Sequence, residues 1–357
     1  MKLLKYEWKK LCKRKIIWIF LIGLLLLNEG LFLKDYINKR YVNKDLYQIQ
    51  KYYEKAFIGP VSSEKLEQIS QLKNALASGT LKLSEFSTDI SGDYYALNKL
   101  SDSFDYLSSY QNEMEKYQLF YEENERLMNA YLGRQTVWYD NFAGWEHLNN
   151  YQMSNIFILL LIFLALAPIW SGEREEDMLI ILNTTRKGRE RIHLAKLAFS
   201  ILIAFMFTLL FAASELVTEA LTFGLPSSQA ASYSVPAFKM ITANLTFIGM
   251  WLLMLLGKII AFSFVSILVL LISGTFSNIL LSVFASAGVG ALLLFISESG
   301  LKLWNPLSLL YLNETLMDDR ILSAFGKSFF PWELNLFVSI LLFLTGCLIC
   351  VWRRQRI

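Results

Sequence analysis

Six long apolar runs restrict this chain more than any other feature. Crossing a lipid core of roughly 30 Å takes about 20 apolar residues of helix, and helices satisfy their own backbone polar groups there. Runs of that kind occupy residues 16–33, 153–170, 197–223, 248–273, 279–296 and 334–352. The balance of 54% hydrophobic to 18% charged residues belongs to a membrane protein rather than a soluble domain. The expected fold class is an all-α polytopic membrane protein, with six transmembrane helices and an elongated helical extracellular domain.

Lys and Arg set the orientation, because short cytoplasmic segments carry them in excess. Residues 1–15 hold seven (Lys2, Lys5, Lys9, Lys10, Lys13, Arg14, Lys15), and the segment 171–196 holds six. The tail, residues 353–357, adds Arg353, Arg354 and Arg356. The opposite segments, 224–247 and 297–333, contain only Lys239, Lys302, Arg320 and Lys327. Both termini are therefore expected in the cytoplasm of a multi-pass plasma-membrane protein. Met1, Leu4, Trp8 and Leu11 recur at three and four among lysines, which predicts an interfacial amphipathic helix over residues 1–15. The first span resembles a signal peptide at its basic start. Its apolar run is long, however, and ends in Asn28, Glu29 and Gly30 without a small-x-small site, so an uncleaved anchor is expected.

Residues 34–152 form the only large polar portion, an insert between the first two spans. It carries 14 of the 17 tyrosines, with 17 acidic and 13 basic residues, so its charge is −4 against +7 for the remainder. Val42, Leu46, Ile49, Tyr53 and Phe57 keep a helical period. Leu97, Leu100, Phe104, Leu107, Tyr110, Met114, Tyr117 and Tyr121 do the same. A shorter helix is predicted over 64–77, capped by Ser62 or Ser63 and stopped at Gly79. Together these suggest two helical arms continuing the first two spans, with shorter helices at the tip. Such an insert serves as a spacer or lid, or as a tyrosine-rich recognition surface. The segment 297–333, with Pro306 and Pro331, reads as short helices dipping into the outer leaflet, a re-entrant segment.

Catalytic signals are sparse. The chain has no GxxxxGK[ST], HExxH or GxSxG pattern and only two histidines, His147 and His193. No catalytic set, metal site or nucleic-acid partner is expected. Cys12, Cys347 and Cys350 lie outside the insert, and the CxxC of the last span reads as packing. Charges within the spans are costly and mark function by default. Glu29, Glu215 and Lys258 are the polar candidates there, with Glu29 or Glu215 as a partner for Lys258. Glu219, Glu298 and Glu333 lie nearer the interface, where snorkelling accounts for them.

The segment 171–196 is unlike an ordinary basic loop, since orientation requires Lys and Arg but no acidic cluster. It runs through Glu173, Arg174, Glu175, Glu176 and Asp177, then Met178, Leu179, Ile180, Ile181 and Leu182. Thr184, Thr185, Arg186, Lys187, Gly188 and Arg189 follow, and Lys196 closes it. With the start KYEWKKLCKRK, Asn305–Pro306 and the six-span order, this segment resembles the inner loop of type 2 ABC transporter (ABC-2) permeases. The resemblance covers roughly the membrane two-thirds of the chain. Asp177 departs from it, standing where such loops often carry Gly, and the large insert is not general in that family.

The resemblance implies a coupling helix seated in a groove of a separate ATPase. Leu179, Ile180 and Leu182 would be its docking face, between flanks at residues 173–177 and 186–191. It implies a permease without its own ATP site, not itself an enzyme, that binds no cofactor. ATP and Mg would sit in two partner ATPase subunits, and a second permease chain, identical or related, would complete the transporter. The expected activity is export of a peptide or amphipathic antimicrobial compound. An alternative is a non-transporting module that passes an ATPase-driven mechanical signal to the insert.

Overall fold

The computed structural model describes residues 2–37, 44–80, 90–120, 137–178, 186–297, 302–324 and 327–353. They form an all-α bundle containing six helices long and apolar enough to cross a membrane. Helix α1 (Lys2–Lys13) breaks at Arg14 and gives way to α2 (Lys15–Ile37). The periodicity of α1 is honoured: Leu11 is buried, and the Trp8 ring meets Phe199 edge-on at 6.4 Å. Along α2 only a narrow stripe turns inward, Ile17, Leu21, Asn28 and Phe32. Its exposed Ile16, Ile19, Ile22, Leu26 and Leu27 give it the outer face of a membrane helix.

The insert folds around its own small core. Helices α3 (Lys44–Lys55), α4 (Ser63–Ala77) and α5 (Ile90–Phe120) bury Ile49, Tyr53, Phe57, Leu97, Phe104 and Tyr110 together. Ser62 caps α4 by accepting from the Lys65 N–H at 3.4 Å, and Gly79 ends it at φ 70°. The Tyr53 hydroxyl donates to buried Asp93 at 2.7 Å. Strands β1 (Gly59–Pro60) and β2 (Trp138–Tyr139) pair antiparallel. Val42 and Tyr121 lie outside the described residues.

The second arm is not a continuation of the second span. Between α5 and that span come β2, a base helix α6 (Ala143–Asn150), and Tyr151 in extended geometry. Tyr151 lies outside the helices, and its hydroxyl donates to Asn28 Oδ1 at 3.0 Å. The base is closely packed, since a Cβ on Gly144 would fall 2.3 Å from the Gly224 carbonyl oxygen.

The second span is α7 (Met153–Leu166) followed by α8 (Pro168–Glu175), so helix extends five residues past the boundary expected at 170. Pro168 breaks the run because it has no N–H to donate. Ser273 repairs the break: its Oγ accepts the Trp170 and Ser171 N–H groups at 3.0 and 3.2 Å. The hydroxyls of Ser171, Ser273 and Ser282 in turn donate to the Ala167 carbonyl. The third span also begins earlier than expected. Helix α9 runs from Arg186 to Thr222, so the basic half of segment 171–196 is its opening turns rather than a loop.

Helix α10 (Phe247–Ser273) is capped by Thr246, and α11 (Ile279–Ser297) and α13 (Pro331–Arg353) complete the spans. Between the last two, a 3-10 stretch (Pro306–Tyr311) and α12 (Leu312–Leu316) bury Leu307, Leu309, Leu310, Leu312 and Leu316. The Leu309 carbonyl lies close enough to Gly257 that a Cβ there would approach it to 3.2 Å. That contact is ten residues into α10, about 15 Å along it. The irregular backbone is satisfied by Asn335, whose Nδ2 donates to the Lys302, Leu303 and Asn305 carbonyls.

Candidate functional site

Where α1, α8 and α9 meet, at the end of the bundle that carries the N-terminus, six charged side chains converge. Glu173 on α8 is at the centre and is 2% exposed. Its Oε2 accepts from Lys196 Nζ on α9 at 2.6 Å, and its Oε1 accepts from Lys10 Nζ on α1. Lys196 has no exposure at all. It also donates to the Ile169 carbonyl at 2.6 Å, sits 4.0 Å from the centre of the Trp170 ring, and lies 3.9 Å from Glu7 Oε1. An ammonium offers three donors, and this pocket presents an acceptor on each side.

Arg14 and Glu176 border the same cluster. A cavity of about 230 Å³ opens between Glu7, Lys10, Arg14, Gly172, Glu173 and Glu176. Burial pushes the Glu7 carboxyl above the usual carboxylate range, with Lys196 pulling the other way. Burial also lowers Arg14 from its ordinary value, against the pull of Glu176, Glu7 and Glu173. Helices that share buried ions in this way cannot move independently without stranding a charge in a low dielectric.

Segment 171–196 thus divides into an inward and an outward part. Glu173, grouped from sequence with the acidic flank of a docking face, instead faces inward. Its carboxylate is committed within the bundle, as expected of a charge that burial forces into a pair. Arg174 and Met178 are half-buried, and Glu175, Glu176 and Asp177 are exposed. Glu175 Oε2 accepts the Ile279 N–H at 3.3 Å, so it serves the first turn of α11. Asp177 has φ 54°, a left-handed conformation that glycine adopts at little cost. Leu179, Ile180, Leu182, Thr184 and Thr185 lie outside the described residues. Arg186, Lys187, Gly188 and Arg189 form the first turn of α9.

The polar residues within the spans gather at the other end, beside the insert. Glu29 accepts from the Thr218 hydroxyl at 2.6 Å, and Glu215 accepts from Asn28 Nδ2 at 3.2 Å. Lys258 is buried on α10, and among the described residues no ion pair within 4 Å joins it to Glu29 or Glu215, the partners expected for it. Glu219 does not snorkel. It is fully buried, and its Oε2 lies 3.1 Å from His147 Nδ1 on the base helix. A pointer to this was present in the spacing of Glu215, Thr218, Glu219 and Thr222, which share one face of α9. Glu7 and Lys10 passed unnoticed because charged positions three apart on an amphipathic helix read as its solvated side.

No family model matches this sequence, and no curated protein or solved structure matches it either.

Proposed function

We propose that this chain is the membrane subunit of an ATP-driven ABC exporter, powered by separate ATPase subunits that dock on residues 174–189. Both termini and the docking segment lie in the cytoplasm, in the plasma membrane, and a second permease chain completes the pathway. The cargo is a peptide or an amphipathic compound. The observation that carries this reading is the Glu173–Lys196–Lys10 cluster. It joins the exposed residues Glu175, Glu176 and Asp177 to three helices through buried ion pairs. A force applied to the exposed part is then shared by the second span, the third span and the N-terminal helix, because separating them costs unpaired buried charge.

A second reading, a mechanical signalling module, draws on the way the insert is attached. Its core extends into segment 224–247, where the Tyr110 ring lies 5.9 Å from Tyr233 and the Tyr110 hydroxyl donates to the Lys239 carbonyl. Proteoliposomes containing the chain and its ATPase separate the two. ATP-dependent movement of a peptide or amphipathic cargo supports the exporter, and ATP hydrolysis without movement of any such cargo favours signalling.

The docking assignment has its own test. Arg186→Glu with Arg189→Glu is expected to weaken co-purification of the ATPase roughly tenfold or more, since like charges at an interface are strongly disfavoured. The thermal midpoint of the isolated chain should remain that of wild type. Unchanged ATPase binding and unchanged transport would remove residues 186–189 from the interface.

A further inference from the structure

A groove on the outside of the bundle joins α1 to α9, and nothing in the exporter reading uses it. We propose that it holds one anionic phospholipid, with an acyl chain in the groove and the headgroup phosphate on the exposed lysines of α1. The groove encloses about 460 Å³ and is lined by Trp8 of α1 and by Leu202, Phe205, Met206, Leu209 and Leu210 of α9. Every one of these side chains is apolar. Leu202, Phe205, Leu209 and Leu210 remain between 37% and 41% exposed, so the described residues leave this wall uncovered.

The shape of the groove fits a lipid chain. Residues 202, 205, 206, 209 and 210 share one face of α9 by the three-and-four spacing of a helix. Phe199 meets the Trp8 ring edge-on at 6.4 Å and so marks the mouth. From Phe199 to Leu210 the helix rises about 16 Å. That is close to half of a lipid core of roughly 30 Å, the depth of one leaflet. A half-buried Trp at the mouth suits the boundary between headgroups and chains.

The lysines select the headgroup. Lys5, Lys9 and Lys13 are exposed and four residues apart, so they form one row along α1. Trp8 lies between that row and the buried side of the helix, which carries Glu7 and Leu11. Glu7 is the one acid in α1, and it lies 3.9 Å from Lys196 rather than beside the row. Among the described residues none of the three lysines forms an ion pair within 4 Å. Like charges at this spacing repel one another, and a phosphate next to Trp8 removes that repulsion. Basic rows at a membrane surface attract anionic lipid, and the apolar groove adds a place for its chain. Assignment to the inner leaflet rests on the cytoplasmic N-terminus proposed above, whereas the pairing of groove and lysine row does not.

Photo-labelling of the full chain in nanodiscs tests this, using phosphatidylglycerol or phosphatidylcholine with a diazirine halfway along one acyl chain. Nanodiscs present both leaflets and no ATPase is added, so the result is independent of the exporter reading. Phosphatidylglycerol is expected to label residues 202–210 roughly tenfold more than phosphatidylcholine does, and more than it labels the exposed faces of α11 and α13. Glutamine at Lys5, Lys9 and Lys13 should lower the labelling to the phosphatidylcholine level, and arginine at the same positions should preserve it. If the glutamine variant fails to fold, the comparison of the two lipids on wild type decides the matter. Equal labelling by both lipids, label spread evenly over residues 202–210, α11 and α13, or a folded glutamine variant that keeps the preference overturns the proposal. Crosslinks from residues 202–210 to a second copy of the chain in place of lipid also overturn it. So does loss of the label when excess glycerol phosphate is added, which would show that a free phosphate is recognised without its chain.

Discussion

Glu173→Ala is expected to destabilise the chain by roughly 3–5 kcal/mol, because it removes one partner of a buried pair and leaves the other charged. Lys196 has no exposure and would keep one carbonyl and the more distant Glu7. Hydrogen exchange should rise first in α1, α8 and the opening turns of α9, the three elements that share the cluster. On the proposed exporter function, the same loss should appear as failed transmission, with ATP hydrolysis in the partner no longer matched by transport. Glu173→Met with Lys196→Met gives the decisive contrast. Replacing both ions with apolar side chains of similar volume is often neutral or stabilising. The double variant should therefore recover stability without recovering coupling. If Glu173→Ala loses less than about 1 kcal/mol, the pair behaves as a surface ion pair and the account of the cluster fails.

Trp145→Ala should cost about 3–5 kcal/mol, in the range of large aromatic truncations in packed cores. Trp145 is 1% exposed, its indole N–H donates to the Pro226 carbonyl at 2.9 Å, and its ring stacks on Phe247 at 6.0 Å. It ties the base helix of the insert to segment 224–247 and to the first residue of α10. The damage should be regional: proteolysis within residues 137–152 should accelerate while α13 remains protected. Trp145→Phe keeps an aromatic ring, though a smaller one, and loses the donor, so its cost should be nearer the roughly 1–3 kcal/mol of an unpaired buried acceptor. Equal stability of Trp145→Ala and wild type, measured by thermal unfolding in detergent, would mean that the insert base is not part of the bundle's core.

Much of the architecture was legible because hydropathy marks length directly. The six apolar runs coincide with six long helices, and most ends lie within four residues of those expected. The ends moved where charge continues a helix beyond its apolar part, as in α8 to Glu175 and α9 from Arg186. Neither extension is visible to an argument that counts apolar residues, because a helix does not stop at a charge. The periodic residues Ile49, Tyr53, Phe57, Leu97, Leu100 and Phe104 do form the insert core. The second arm does not join its span because β2, which pairs with β1 from far earlier in the sequence, and Tyr151 in extended geometry lie between them. The burial of Glu173, Lys196 and Glu219 was hidden for the same reason. Each depends on a partner that only tertiary packing brings near, and a charged residue alone in sequence looks solvated.

The central claim is that an ATPase engages the exposed part of segment 171–196 and acts through the buried ions behind it. A photo-crosslinking amino acid in place of exposed Glu176, in the full chain produced together with its ATPase, tests this most directly. Exposed Lys99, in the insert, is the control position. The account predicts a crosslink to the ATPase from position 176, strengthened or weakened by ATP, and none from position 99. An ATPase crosslink from position 99 alone, or an assembled complex that never crosslinks from position 176, would contradict it.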